Sequence, residues 1–117
     1  MILGIDYGRS NIGLAISAGE LADPLRRIKN DGSALAFFRK LKTDLAVSLL
    51  VVGISSGAME AETRKWADEL TIALQLPIDF SDETLTSRES QDDHAKAAAL
   101  MLQRYLDEKR VKSTIRG

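Results

Sequence analysis

The first third of the chain shows the hydrophobic pattern of β-strands. An apolar run over 2–5 ends at Asp6, and residues typical of a turn occupy 7–11. Large and small apolar residues then alternate over 12–16, so the two runs predict a β-hairpin. A weaker extended stretch over 23–29 contains a proline, which strands accept at their start or at a sheet edge. The pattern therefore predicts three antiparallel strands.

The rest of the chain alternates between helical and strand-like segments. Hydrophobic residues recur at helical spacing over 35–45, 59–74 and 95–106. Residues 49–54 are apolar on both faces, as in a central strand, and a short alternating run over 78–80 predicts a last strand. This order of strands and helices predicts an α/β fold in which right-handed crossovers connect the parallel strands. We expect a mixed five-stranded sheet in the order 3-2-1-4-5, with its first three strands antiparallel and helices on both faces.

The composition excludes several classes of site. The chain has 117 residues, which predicts one domain over 1–117, and it contains no cysteine and one histidine. Disulfides, thiolate zinc sites and iron–sulfur clusters are therefore excluded, as is a multi-histidine metal site within one chain. No apolar run could span a membrane, and no basic leader precedes the first strand. We expect a cytoplasmic protein with no membrane partner.

The charges are balanced but grouped. Sixteen Lys and Arg residues stand against 17 Asp and Glu residues, whereas proteins that bind nucleic acid usually show a basic excess. Clusters of basic residues most often belong to a solvent-exposed face. They would form a binding track for phosphates only if they converged on one side of the fold. The basic groups are Arg26, Arg27 and Lys29, then Arg39, Lys40 and Lys42, and finally Lys109, Arg110, Lys112 and Arg116 in the tail.

Two acidic segments follow predicted strands. Asp6 ends a buried strand before two glycines; a carboxylate there is costly unless it binds a cation, although it could instead shape the hairpin turn. Asp82 and Glu83 follow the last strand, at the side of the sheet where α/β proteins bind ligands. The next segment, Thr86–Glu89, resembles a helix-capping box, which would give these acids a purely structural role.

A third polar segment, Asp92, Asp93 and His94, begins the last predicted helix. Two acids there commonly offset the helix dipole, and a single histidine is commonly a surface or capping residue. Together, however, the three segments supply oxygen ligands without sulfur, which suits Mg²⁺ or Mn²⁺. Paired cations of this kind suit the cleavage of phosphodiester bonds.

Several motifs resemble those of the YqgF/RuvX family, nucleases of the ribonuclease H-like superfamily that are similar to Holliday junction resolvases. The opening hairpin and the block after the last strand match the family closely, and the third strand, central strand and closing helix follow in the family's order. The segments are Leu3-Gly4-Ile5-Asp6-Tyr7-Gly8, Ile12-Gly13-Leu14-Ala15-Ile16-Ser17, Ala22-Asp23-Pro24-Leu25, Val51-Val52-Gly53-Ile54, Asp82-Glu83-Thr84-Leu85-Thr86-Ser87 and 97–107. The resemblance implies a ribonuclease H-like fold.

The resemblance also implies a catalytic set of carboxylates. The family's first Asp and its Glu fall on Asp6 and Glu83, while its third Asp falls on His94, one residue after Asp93. Successive helical residues point about 100° apart, so these two cannot share one direction. We predict that Asp6, Glu83 and Asp93 hold Mg²⁺ or Mn²⁺, with His94 adjacent as a further catalytic residue. The alternatives are that His94 takes the third position or that the site is partly lost.

The sequence departs from the family at three places near this site. Thr84 stands where the family usually has Arg, Ser55 stands where a Pro usually follows the central strand, and the segment after Ser87 is shortened. Thr84, together with His94 at the position of the family's third Asp, favours as an alternative a catalytically impaired module of the same fold that binds nucleic acid or a ribosomal partner.

The activity that the resemblance implies is metal-assisted cleavage of structured nucleic acid. The substrate would be the 5′ end of pre-16S rRNA or branched DNA similar to a Holliday junction, and the sequence leaves this choice open. A homodimer is also left open. The opening hairpin further resembles the phosphate-binding hairpin of actin-like ATPases, but those enzymes need two such domains and this chain has the length of one.

Overall fold

The described part of the chain contains five strands and three helices in the predicted order. The computed structural model describes residues 1–54, 57–82 and 94–116, apart from the side chains of residues 58 and 110–116. Within these ranges, no helix combines the length and hydrophobicity that crossing a lipid bilayer requires. The elements are β1 (Ile2–Asp6), β2 (Asn11–Ser17), β3 (Ala22–Lys29), α1 (Ala34–Asp44), β4 (Leu49–Ile54), α2 (Ala58–Leu74), β5 (Ile78–Asp82) and α3 (His94–Arg116).

The strands form one sheet in the order β3-β2-β1-β4-β5, which confirms the predicted order. The β1–β2 and β2–β3 pairs are antiparallel, and the β1–β4 and β4–β5 pairs are parallel. The last residues of β1, β4 and β5 therefore lie on one side, together with the start of β2 and the last residue of β3. We call this side the carboxyl end of the sheet.

The two faces of the sheet are covered by different helices. The hydrophobic stripes of α1 and α2 pack on one face, and α3 packs on the other. Leu50 and Val52 of β4 are buried under α1 and α2, while Val51 is buried under α3, so β4 is covered on both sides as predicted. One residue of the predicted α1 stripe, Leu35, is instead 37% exposed, because it lines an open pocket between α1 and α2.

α2 ends where its backbone becomes left-handed. Gln75 has a φ of 55°, a conformation that terminates a helix, and Pro77 follows shortly afterwards. The Lys42 ammonium of α1 donates to the Leu74 carbonyl at 2.6 Å, at the negative end of the α2 dipole. One charge of the second basic group therefore joins two helices.

Small residues allow α3 to lie close to the sheet. Its three consecutive alanines at 97–99 are buried, and a side chain on Gly4 of β1 would overlap Leu102. At the far end of this contact, Gln103 Oε1 accepts a hydrogen bond from the Ala22 amide at 2.8 Å. α3 thus runs from the carboxyl end of the sheet towards the turn between β2 and β3.

Candidate functional site

Asp6 lies at the carboxyl end of the sheet, where open α/β sheets bind ligands. Its side chain is 15% exposed and shares the α3 face with Gly4, because alternate residues of a strand project to the same side. Asp82 ends β5 two strands away, which places the ends of these strands about 10 Å apart. Glu83, the next residue of the sequence, lies outside the described residues.

His94 is the first residue of α3, and the fold brings it to Asp6. Its Nδ1 lies 3.8 Å from Asp6 Oδ2, and its side chain is 28% exposed. The pair is ionic when the imidazole is protonated, and otherwise it places a neutral nitrogen ligand beside a carboxylate. Of the four predicted site residues, the structure thus describes two and brings them together, while Glu83 and Asp93 lie outside the described residues.

Gly13 allows α3 to begin this close to Asp6. The two residues are paired across β1 and β2, so their side-chain positions lie on the same face. A Cβ atom on Gly13 would overlap the carbonyl oxygen of His94, so the glycine leaves the space that the helix backbone occupies. Sequence reasoning placed Gly13 in the hairpin without this role. The available signal was a glycine inside a strand, which often marks the close approach of another backbone.

The donor set of Asp6 and His94 fits a divalent cation. Two ligands that each lie about 2.1 Å from one ion can be at most about 4.2 Å apart, and the observed 3.8 Å is within that limit. An imidazole nitrogen beside a carboxylate suits Mn²⁺ better than Mg²⁺, which prefers oxygen ligands. Within the described ranges, no further acidic residue joins this pair to complete a group of three.

On the other face of β1, the turn that follows Asp6 is attached to α2. The Tyr7 hydroxyl donates to Glu62 Oε2 at 2.8 Å, and Arg9 Nε donates to Glu62 Oε1 at 3.1 Å. The Tyr7 ring packs against Trp66, with 4.7 Å between the ring centroids. Trp66 is itself partly buried and packs against the hydrophobic core.

The same turn is also held by Asn30, the residue that follows β3. The Asn30 side chain donates to the Gly8 carbonyl at 2.8 Å, and its backbone amide donates to the Ser10 carbonyl at 3.0 Å. A turn fixed from two elements restricts the orientation of Asp6, as a metal ligand requires. Neither Glu62 nor Asn30 could be found from the sequence, because no local pattern links either residue to the hairpin.

The attachment to α2 shifts three pKa values. Burial raises the pKa of Tyr7, and its hydrogen bond to the Glu62 carboxylate raises it further. The hydrogen bonds from Arg9 and then Tyr7 lower the pKa of Glu62. The hydrogen bond to Glu62 raises the pKa of Arg9. The Glu62 carboxylate is therefore the negative charge that accepts hydrogen bonds from both Tyr7 and Arg9 of this turn.

Replacing Glu62 with Gln is expected to lower the pKa of Tyr7. The substitution removes the negative charge that disfavours the phenolate, while the amide keeps the size of the side chain. Ultraviolet difference titration of tyrosinate measures the change. Tyr105 is the internal reference, because burial and a hydrogen bond to Asp79 raise its pKa to about 12.

Glu69→Gln is the matched control for this titration. Glu69 lies two helical turns further along α2 and is exposed, so its replacement should leave both tyrosine midpoints unchanged. If Glu62→Gln left the Tyr7 midpoint at its wild-type value, the hydrogen bond would not determine the ionisation of Tyr7 in solution.

Sequence comparisons identify a family and similar proteins. The family model described as RuvX: Holliday junction resolvase matches residues 1–108. A protein of Synechococcus elongatus named "Putative pre-16S rRNA nuclease" is 37% identical, over 92% of this chain and 89% of that protein. A protein of the same name from Acaryochloris marina is 34% identical, over 92% of each chain.

Solved structures show the same fold. RuvC of T. thermophilus in complex with a Holliday junction substrate matches with a TM-score of 0.65 and 14% identity, over 93% of this chain and 94% of that chain. A second Thermus thermophilus RuvC structure matches with a TM-score of 0.64, over 93% and 95% of the two chains. At this identity the likeness concerns the fold alone, and it confirms the expected ribonuclease H-like architecture.

Proposed function

Because this chain belongs to the RuvX Holliday junction resolvase family, we propose that it is a metal-dependent endonuclease that hydrolyses phosphodiester bonds in structured nucleic acid. The observation that carries the proposal is the placement of His94 Nδ1 3.8 Å from Asp6 Oδ2, at the end of the sheet where ligands bind. A partly exposed carboxylate beside a nitrogen ligand, on a turn fixed by its neighbours, is suited to holding a cation.

In this proposal, Asp6 binds the cation from the end of β1, with Glu83 and Asp93 as further carboxylate ligands. His94 serves as a nitrogen ligand or carries a proton at Nδ1. Bound Mg²⁺ or Mn²⁺ would supply an activated water and would stabilise the charge on the leaving oxygen. The attachment of the neighbouring turn to α2 holds Asp6 in position.

We propose the 5′ end of pre-16S rRNA, in the cytoplasm, as the substrate. Support comes from the relatives at 34% and 37% identity, whose name refers to pre-16S rRNA. The family description points instead to branched DNA, whereas the RuvC structures share 14% identity and support only the fold. The two substrates are therefore compared directly in the test.

The test incubates the purified chain with two end-labelled probes, an RNA that contains the 5′ precursor segment of 16S rRNA and a four-way DNA junction. Reactions contain Mn²⁺, Mg²⁺ or a chelator. We expect the RNA to be cut at a defined position with Mn²⁺, more slowly with Mg²⁺, and not at all with chelator, because the donor set includes nitrogen.

Two results would contradict the proposal in different ways. Cleavage of the DNA junction alone would refute the RNA substrate and retain the nuclease. Binding of both probes without cleavage under any metal condition would refute the nuclease and favour the alternative of a binding module.

A further inference from the structure

The register of β3 divides its basic group between the two faces of the sheet. Arg26 is paired with Leu14, which is buried under α1 and α2, so Arg26 projects to that face. The contact of its guanidinium with Phe37 of α1, 5.1 Å from the ring centroid, agrees with this placement. Arg27, the next residue, must therefore project to the opposite face, which α3 covers.

Arg27 lies in the same cross-strand row as the candidate catalytic residue. Asp6 of β1 is paired with Gly13 of β2, and Gly13 is paired with Arg27 of β3. Two strand spacings separate Asp6 from Arg27, which corresponds to about 10 Å between their Cα atoms. The start of α3 lies over the glycine between them, so the positive end of the helix dipole faces the same strip of surface.

We propose that Arg27 binds a backbone phosphate of the nucleic-acid strand whose scissile bond lies at Asp6. The inference rests on the proposed function and extends it from the reacting bond to the path of the strand. Arg27 is exposed, and none of the carboxylates in the described ranges forms an ion pair with it. A guanidinium in this state can offer a two-pronged contact to a phosphate beside the one at Asp6.

The other basic residues singled out in the sequence are less suited to binding this phosphate. Lys42 donates to a helix carbonyl, and Lys109 lies 3.7 Å from Asp79 Oδ2. Arg39 and Lys40 are carried by α1, which covers the face opposite to Asp6. Among the basic groups whose side chains the structure describes, the positive charge left on the Asp6 face is therefore that of Arg27 and of Lys29, two residues further along β3.

The test measures binding of a fluorescein-labelled RNA stem with a single-stranded 5′ extension, in chelator so that no cleavage occurs. Arg27→Gln is expected to weaken binding about three- to tenfold at low salt and to reduce the slope of log K against log salt by about 0.7 to 0.9, the loss of one phosphate contact. Arg27→Lys, which keeps the charge, should restore most of the slope.

Arg26→Gln is the matched control, because it removes the same charge one residue away on the other face. It should change the salt slope by much less than Arg27→Gln, and thermal melting checks that both variants fold. The proposal would be overturned if Arg26→Gln and Arg27→Gln showed equal slopes of log K against log salt. It would also be overturned if Arg27→Gln kept the wild-type slope.

The failure of this inference and the failure of the proposed function give different results. If the wild-type chain cuts RNA but binding does not depend on Arg27, the nuclease stands and the phosphate contact is refuted. If binding depends on Arg27 but neither probe is cut with any metal, the phosphate contact is supported and the nuclease is refuted.

Discussion

Asp6→Asn is expected to slow RNA cleavage by about a hundredfold or more while leaving the fold intact. Asn keeps the size of the side chain but removes the negative charge that a divalent cation requires. Asp6 lies at the end of β1 and is partly exposed, so the change creates no cavity in the core. The single-turnover rate with saturating Mn²⁺ measures the loss, and urea unfolding measures stability.

Asp23→Asn provides the control for removing one carboxylate from the sheet. Asp23 is exposed on β3 and is paired with Ile16, towards the end of the sheet opposite to Asp6. We expect this variant to cleave at the wild-type rate. Wild-type cleavage by Asp6→Asn would show that the carboxylate takes no part in the reaction, and the proposed site would then be wrong.

Gly13→Ala is expected to lower the free energy of unfolding by about 2–3 kcal/mol and to reduce cleavage as well. The added methyl group would overlap the His94 carbonyl oxygen, so the beginning of α3 must move away from β2. That movement separates the imidazole from Asp6 and weakens the packing of α3 on the sheet. Urea unfolding measures the first effect, and single-turnover cleavage below the melting temperature measures the second.

Gly32→Ala is the control that distinguishes the steric overlap at Gly13 from the general effect of replacing a glycine with alanine. No atom lies within 4 Å of the position that its Cβ would take, so we expect a change in stability within about 0.5 kcal/mol. If Gly13→Ala were as stable as Gly32→Ala, α3 would begin farther from β2 in solution than the structure places it.

Much of the fold could be predicted because its signals are local. The alternation of β1 and β2, the doubly buried pattern of β4 and the helical period of α2 each reflect the side that a residue presents to the core. The handedness of crossovers then restricts the strand order to very few arrangements, and the predicted one is confirmed. The extents of two elements were underestimated, because β5 continues to Asp82 and α3 continues to Arg116.

The candidate site could be predicted only in part. Asp6 follows from its place at the end of a buried strand and from the family motif, and both are present in the sequence itself. The roles of Glu62 and Asn30 do not follow, because each contacts the hairpin across a large separation in sequence. The predicted convergence of Glu83 and Asp93 with Asp6 stays a prediction, since both lie outside the described residues.

The sequence by itself determined the elements, their order and the type of site, because periodicity and motifs depend on residues that are close together along the chain. The tertiary structure alone decided which side chains meet. Strand register paired Gly13 with both Asp6 and Arg27, and the seating of α3 brought His94 to Asp6. Register and helix position arise from packing over the whole sheet. Once the register is fixed, alternation along β3 turns Arg27 towards the candidate site and Arg26 away from it.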